Sequence, residues 1–355
     1  MSTDSGRSQA TAFPRLRRAA LSALVLAAIV ILLGAWTRLV DAGLGCPDWP
    51  GCYGHLTVPS GEETIAKAQA RFPEAPFDAS KGWPEMIHRY AAGTLGLVIF
   101  GIAAACIRHR RAGAPAGLAS FAAGFVVLQA AFGAWTVTLS LWPQVVAAHL
   151  LGGFTTFCLM FLLFRRLEGR KGRVSEDLPP EPRARVLALR PWLYAGLGVL
   201  VLQIALGAWT AANYAAVACT DFPTCQGELW PEMDFAEGFN FLQAVGPNYL
   251  GGQLGNEARV AIHQSHRMGA LVVLVTLGAL FWAVIRQARG SALAGAAGTG
   301  LALLLVQVAL GVLNILLQVP LAIAIAHNAF GAFLLLGLVN LLVRVERLRV
   351  APSNP

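Results

Sequence analysis

Charge is scarce in this 355-residue sequence. Only 13% of its residues are Asp, Glu, Lys or Arg, about half of the roughly 25% found in ordinary soluble domains. With 56% hydrophobic residues and a mean hydropathy of +0.59, the deficit excludes a disordered chain and argues against a large soluble enzyme. Cysteine is also sparse, and six residues exclude a disulfide-knot scaffold. Acidic residues are outnumbered, 19 against 27 basic ones, which leaves a net charge of +8. In a soluble chain that excess would raise the question of nucleic acid. Here the placement of the charges gives a different answer.

A membrane-spanning helix needs about 20 mostly apolar residues. Eight stretches qualify: 19–41, 86–107, 117–140, 145–164, 191–214, 258–285, 292–317 and 320–342. Short turns at Leu141-Trp142-Pro143 and Gln318-Val319-Pro320 join the third to the fourth and the seventh to the eighth. The first stretch is longer than the apolar core of a cleavable signal and runs into Trp36-Thr37-Arg38, so it is a retained helix. Basic residues gather on alternate connections. Arg7, Arg15, Arg17 and Arg18 precede the first span, and Arg108, Arg110 and Arg111 follow the second. Eight more occupy 165–190, Arg286 and Arg289 follow the sixth span, and Arg344, Arg347 and Arg349 follow the eighth. Twenty of the 27 basic residues therefore lie on one side, which the positive-inside rule assigns to the cytoplasm. Both termini are then cytoplasmic, loops 42–85 and 215–257 face outside, and the basic excess is a topology signal with no role for nucleic acid.

The expected fold is an all-α integral membrane protein of eight transmembrane helices, arranged as two tandem pseudo-symmetric four-helix bundles. Its parts are a cytoplasmic tail (1–18), a first bundle (19–164), a cytoplasmic linker (165–190) marked by Pro179-Pro180 and Pro182, a second bundle (191–342) and a cytoplasmic tail (343–355). In the first outside loop Ser60-Gly61-Glu62-Glu63 has the pattern of a capping box that opens a short helix through Phe72. In the second, Phe235, Phe239, Phe241 and Leu242 suit a lipid interface.

Self-comparison gives the two-bundle reading. Leu33-Gly34-Ala35-Trp36-Thr37 recurs as Leu206-Gly207-Ala208-Trp209-Thr210, and Cys46-Pro47-Asp48-Trp49-Pro50-Gly51-Cys52 recurs as Cys219-Thr220-Asp221-Phe222-Pro223-Thr224-Cys225. Both matches share one offset. A second offset, five residues longer, relates His88-Arg89 to His266-Arg267, Gln129 to Gln307, Gly133 to Gly311 and His149 to His327. Four spans return the chain to its starting side, so the repeats are parallel.

His55 falls in an outside loop and His109 among cytoplasmic arginines, where solvated roles are expected. His88, His149, His266 and His327 stand near the outer ends of spans two, four, six and eight. Polar groups at membrane depth are costly and usually functional. Two imidazoles from facing helices of a bundle suit the axial positions of a haem, while zinc lacks a Cys or carboxylate to complete its set in the second half. Gly93, Gly96, Gly152, Gly153 and Gly331 lie near these histidines and would let either a flat macrocycle or a neighbouring helix approach. Arg89 and Arg267 suit either haem propionates or snorkelling to the interface. The halves differ at one position: Glu85 shares a helix face with His88, and its counterpart before His266 is His263. An enzyme with one reacting haem and one redox haem needs such an asymmetry; a plain electron carrier does not.

Cys46/Cys52 and Cys219/Cys225 lie in outside loops, in an oxidising compartment if the membrane is a bacterial inner membrane. Each pair can staple its loop or exchange with a thiol–disulfide partner. Cys106 and Cys158 fit as apolar fillers.

Taken together, Gly34-Ala35-Trp36-Thr37-Arg38, Gly45-Cys46-Pro47-Asp48-Trp49-Pro50, Glu85-Met86-Ile87-His88-Arg89, His149, His263-Gln264-Ser265-His266-Arg267 and His327 resemble the haem A synthase family over all eight spans. The resemblance implies oxidation of the C8 methyl of haem O to a formyl group by successive hydroxylations, with haem b as redox cofactor. It implies that His88 and His149, with Arg89, flank the substrate haem O and that Glu85 assists the oxidation. It implies that His266 and His327, with Arg267, hold the cofactor. It further implies a bacterial inner-membrane setting, with haem O synthase and oxidase assembly factors as partners and a homo-oligomer as an option. Two other readings stay open on residues alone: a non-enzymatic di-haem cytochrome or haem carrier, and a quinone-linked thiol oxidoreductase built on the outside cysteines.

Overall fold

The computed structural model describes residues 13–168 and 178–350. Arg7, Arg170, Lys171, Arg173 and the outer parts of both expected tails lie outside the described residues. The described chain forms α1 (Pro14–Leu39), α2 (Glu62–Arg71), α3 (Ala79–Arg108), α4 (Ala116–Thr138), α5 (Pro143–Arg166), α6 (Pro180–Ala188), α7 (Arg190–Ala212), α8 (Phe235–Gly238), α9 (Asn256–Gln287), α10 (Ala292–Leu316) and α11 (Leu321–Val350). Among the described residues, eight helical stretches are long and apolar enough to cross a membrane, the fifth being α6 and α7 taken together. This follows from the sequence because backbone amides have no water to bond within a bilayer, and an α-helix satisfies them internally.

The helix ends differ from the apolar stretches in informative ways. α3 starts at Ala79, a full turn and more before residue 86, because the Asp78 side chain accepts the Ser80 amide at 2.8 Å and caps it. Glu85 and His88 are thus held well inside a helix. The expected linker 165–190 is partly helical: α6 carries Pro182 in its first turn and buries Val186. α2 forms as expected, but Gly61, at φ 83°, precedes it without any side-chain cap, so the capping box is not made. Both short interspan turns use a Schellman-type closure. Leu141 N–H donates to the Thr136 carbonyl at 2.8 Å, and Val319 N–H donates to Asn314 at 2.7 Å.

Packing closes the long helices into two four-membered rings. In the first, α1 meets α3, α3 meets α4, α4 meets α5 and α5 returns to α1. In the second, α7, α9, α10 and α11 do the same. The rings meet along α5–α7, α1–α11 and α5–α11, where one continuous apolar core includes Phe157 against Phe333 at 6.0 Å. α1 buries Ala20, Ala23 and Ala27, and small residues at this spacing let spanning helices approach closely. Large side chains such as Leu97, Phe121 and Leu202 are exposed on the outer faces, where lipid is the solvent.

At the end of the rings that carries both long loops, the second loop leans over the first ring. Tyr249 N–H donates to Ser140 at 2.9 Å, and Trp142 Nε1 donates to Gln243 at 3.1 Å. Of the four apolar residues expected at a lipid interface, Phe235, Phe241 and Leu242 are exposed, whereas Phe239 is half-buried against the cluster around Trp209 and Ile262; Phe241 also packs on Trp209. Arg38 of α1 donates to the Ala211 carbonyl and lies 3.8 Å from the Tyr214 ring centre, tying the rings together at this end.

At the opposite end, Glu168 is buried and bridges Arg17 of α1 at 3.2 Å, Arg165 of α5 at 3.4 Å and Arg347 of α11 at 3.9 Å. Removing one partner of a buried ion pair costs about 3–5 kcal/mol. Arg17 is 43% exposed, which reduces the cost here to about 1–3 kcal/mol. Glu168→Ala should therefore lower the thermal midpoint in detergent by several degrees, with the exposed Glu181→Ala as an unshifted control. Equal midpoints would remove Glu168 as a joint between the rings.

Candidate functional site

Each ring of helices holds two half-buried imidazoles. His88 on α3 and His149 on α5 face one another with ring centres 6.4 Å apart and planes at 84°. Metal–imidazole bonds of about 2 Å on each side of one metal put two ring centres about 6 Å apart, so this pair is spaced to ligate one centre from opposite faces. His266 on α9 lies within electrostatic reach of His327 on α11. His55 and His109 are exposed, as the sequence suggested.

All four imidazoles rest on a glycine of the preceding spanning helix. A Cβ placed on Gly34, Gly133, Gly207 or Gly311 would meet the Cε1 of His88, His149, His266 or His327 at 2.9, 3.1, 3.0 and 3.1 Å respectively. Backbone can support a ring this closely only where no side chain intervenes. Three of the rings also receive a glutamine from one turn before that glycine. Gln129 Nε2 donates to the His149 carbonyl at 2.7 Å and meets Nδ1 at 3.1 Å. Gln203 does the same to His266 at 2.9 and 3.0 Å. Gln307 Nε2 lies 3.4 Å from His327 Nε2.

These surroundings fit a haem. The Oε1 atoms of Gln203 and Gln307 are buried without a hydrogen-bond partner. Turned toward its imidazole, the Gln203 oxygen accepts the Nδ1 proton of His266 and leaves Nε2 free to bind a metal, whereas Gln307 lies beside Nε2 of His327. No group of three or more His, Cys, Asp or Glu suited to a metal ion occurs among the described residues. Two imidazoles do not complete a tetrahedral zinc set, whereas a macrocycle brings its own equatorial nitrogens. Around Gly93 and Gly96 no heavy atom would contact an added Cβ, which leaves room for a flat ligand. Gly152 serves the glutamine instead, since a Cβ there would fall 1.9 Å from Gln129 Oε1.

Glu85 is only 4% exposed. Its Oε1 accepts from Arg89 Nη2 at 2.6 Å and its Oε2 from the Cys46 amide at 2.8 Å. Arg89 also donates to the Asp48 carbonyl at 2.9 Å and to that of Gly51. The first cysteine loop is thereby clamped onto the carboxylate. In the second half the buried His263 stands in place of Glu85. Arg267 there donates to the carbonyls of Thr224, Asp221 and Cys219 at 2.8, 2.9 and 3.2 Å. Both arginines, expected beside propionates or at the interface, thus give donors to the loops. Bonds from the Thr224 hydroxyl and the Gly227 and Gln226 amides hold the half-buried Asp221 carboxyl below its ordinary pKa.

Cys46–Cys52 and Cys219–Cys225 are both disulfide-bonded. All four residues are at most 1% exposed, which shields the sulfurs from an exchanging thiol and favours stapling. Cys106 is a free, buried thiol and Cys158 a half-buried one.

A family model described as cytochrome oxidase assembly protein matches residues 17–339. The chain is 42% identical to a haem A synthase of Shewanella oneidensis, over 90% of this chain and 93% of that one. The chain belongs to the haem A synthase family. It is also similar to the haem A synthases of Maricaulis maris, at 29% identity over 88% and 91% of the two chains, and of Beijerinckia indica, at 30% over 89% of each.

The histidines are conspicuous in the sequence, but the groups that hold them are not. Gln129 and Gln307 stood out only as matched positions, and Gln203 not at all. The signal was the Gln-x3-Gly spacing shared by α4, α7 and α10, which puts amide and glycine on one helix face. The clamp on Glu85 generates a test. Replacing Cys46 and Cys52 by Ser removes a loop closure worth about 2 kcal/mol, roughly a thirtyfold rise in local opening. Hydrogen-exchange mass spectrometry should show faster exchange around Cys46 and wild-type rates in the 219–225 loop. Unchanged exchange in both loops would mean that Arg89 alone holds the first one.

Proposed function

We propose that this membrane protein oxidises the C8 methyl group of haem O to a formyl group, making haem A for terminal oxidases. The observation that supports it best is the asymmetry of two otherwise matched histidine pairs: a buried, doubly held carboxylate beside one and an imidazole in its place beside the other. The protein is an enzyme of haem A biosynthesis, and its finer class on this reading is an oxidoreductase acting on a CH group. We place it in the bacterial inner membrane with both termini and the 165–190 linker cytoplasmic, following its basic residues.

On this reading the chain is two tandem pseudo-symmetric bundles with different roles. The first, 19–164, binds substrate haem O between His88 and His149, with Arg89 at its rim. The second, 191–342, holds haem b on His266 and His327, with Arg267 at its rim. When bound, haem b supplies one-electron redox chemistry. On this reading each of two hydroxylations replaces a methyl C–H bond by C–OH, with water giving the oxygen, two protons released and two electrons passed to an external one-electron acceptor chain; the gem-diol formed by the second loses water to give the formyl group. Glu85 acts on the substrate side, where its carboxylate stabilises positive charge developing at that carbon and takes up protons released from it. Arg89 and the Cys46 amide keep both carboxylate oxygens oriented, so that this charge is in place before the reaction. The buried disulfides fix the loops that carry these donors and take no part in the oxidation.

Haem O synthase as the source of substrate, oxidase assembly factors as recipients of product, and self-association all fit this role as partners. A thiol–disulfide partner at the outer loops fits less well, given the buried sulfurs. A di-haem cytochrome leaves Glu85 without a purpose.

The test is extraction and chromatography of pigments after expression with a haem O supply. Wild-type protein should yield hydroxylated haem and haem A. Glu85→Ala should retain bound haem while product formation drops about 10²-fold or more, the usual scale for a positioned charge or proton acceptor. No oxidised haem from the wild type, or full activity in Glu85→Ala, would contradict the proposal.

A further inference from the structure

The α4–α5 and α10–α11 turns are built alike but packed differently. Leu141 and Val319 hold the same place in them, at φ 62° and 58°, and donate their amides to the carbonyls of Thr136 and Asn314. In the first ring Leu141 is buried and seals the join with the chain that follows α1. A Cβ on Gly43 there would lie only 3.0 Å from Leu141 Cδ2. In the second ring the repeat puts Ala216 in place of Gly43 and Val319 in place of Leu141. The added methyl group holds the backbone off and the shorter side chain does not reach it, so a cavity of about 180 Å³ stays open. Ala216, Val217 and Thr220 line it on one side, and Asn314, Ile315 and Val319 on the other. Thr136, the counterpart of Asn314, satisfies its hydroxyl on the Gly133 carbonyl at 2.7 Å. Asn314 Oδ1 is buried with no hydrogen-bond partner. Folded proteins rarely leave a buried polar atom so, and beside a cavity it marks a place for a ligand.

The surroundings define the ligand's chemistry. A cavity of about 150 Å³ already admits a benzene ring, the apolar walls suit the faces of such a ring, and an amide offers a donor and an acceptor to an oxygen on its edge. Val217, Leu316 and Leu317 are exposed here, on spanning helices whose outer faces meet lipid, so the ligand arrives through the bilayer. The cavity also adjoins the second histidine pair. Gly311, three residues before Asn314 on α10, supports His327 at 3.1 Å, and the carbonyl of Cys219, another lining residue, accepts from Arg267 Nη2 at 3.2 Å beside His266. The oxidation proposed above needs an acceptor for two electrons per hydroxylation. Resting on that reading, we propose that this cavity binds a lipid-soluble quinone and that the quinone is the acceptor. One methyl C–H bond and one water become C–OH and release two electrons and two protons; the quinone collects both pairs and leaves as hydroquinone. Its carbonyl accepts from the Asn314 amide nitrogen, and the hydroquinone hydroxyl donates to Oδ1.

The experiment uses the detergent-purified, haem-loaded protein without added haem O. An azido-ubiquinone is the photolabel, decylubiquinone the competitor, and peptide mass spectrometry maps the label. Wild type should take up label saturably in 216–220 and 314–319, and decylubiquinone should displace it. Val319→Leu, which restores the plug of the first ring, should weaken binding about tenfold or more, the scale of one methylene in a fitted pocket. Asn314→Thr, which installs the first ring's residue, should weaken it about tenfold, the scale of one lost hydrogen bond; it decides the matter if Val319→Leu fails to fold. Absorbance spectra of both variants should match wild type, and Leu141→Val in the first ring should leave binding unchanged. After anaerobic reduction with dithionite, reoxidation by decylubiquinone should slow by the same factors in the two variants, while reoxidation by ferricyanide should not. Label confined to other segments, displacement by phospholipid as readily as by decylubiquinone, or wild-type affinity in the folded variants would overturn the site. Bound quinone that cannot reoxidise the reduced protein would overturn its role. Neither measurement needs turnover. Haem A formation by a wild type that fails them refutes this inference alone, whereas a wild type that passes them and oxidises no haem O refutes the functional reading beneath it.

Discussion

The contact between an imidazole and a bare helix backbone is the constraint on which this architecture depends. A bilayer offers no water to a polar ring, so every histidine inside it needs a partner supplied by the fold. Here the partner surface is a glycine on the preceding spanning helix, used at all four sites within 0.2 Å of one distance: 2.9, 3.0, 3.1 and 3.1 Å. That contact sets how closely α1 meets α3, α4 meets α5, α7 meets α9 and α10 meets α11. Two such pairs close each ring of helices, leaving two imidazoles to face inward. The scarcity of charge in the sequence, the small residues on α1 and the short Schellman turns all serve this close packing.

A second layer of control sits outside the membrane-spanning region. Each cysteine loop is short, closed by a buried disulfide and held down by the arginine that follows the histidine in its own bundle. In the first half the same arginine and the Cys46 amide also grip Glu85. The carboxylate is therefore oriented by groups from two separate segments. Its replacement by His263 in the second half leaves the same scaffold without that charge. On the proposed function, that one substitution at the mouth gives the two matched histidine pairs different chemistry.

Much of this was legible in the sequence, for physical reasons. Spans follow from hydropathy because the bilayer enforces helices, and the histidines were conspicuous because polar residues are rare at that depth. The two cysteine pairs are bonded within their loops, as stapling requires. What escaped was partnership across helices. Gln203 is marked only by Gly207 four residues on, and its partner His266 lies 63 residues away. The loop role of Arg89 and Arg267 was hidden for the same reason, their acceptors being main-chain carbonyls with no signature. The early start of α3 depended on a single cap at Asp78, beyond the apolar stretch. The helical part of the linker escaped because prolines at the start of a helix look, in sequence, like prolines that break one.

The central claim is that the two histidine pairs hold two haems with different roles. Haem analysis of two purified double variants tests it most directly. His88→Ala with His149→Ala should retain haem b and carry neither haem O nor haem A. His266→Ala with His327→Ala should lose the haem b. Loss of the same pigment from both variants, or retention of a full haem complement in either, would contradict the account.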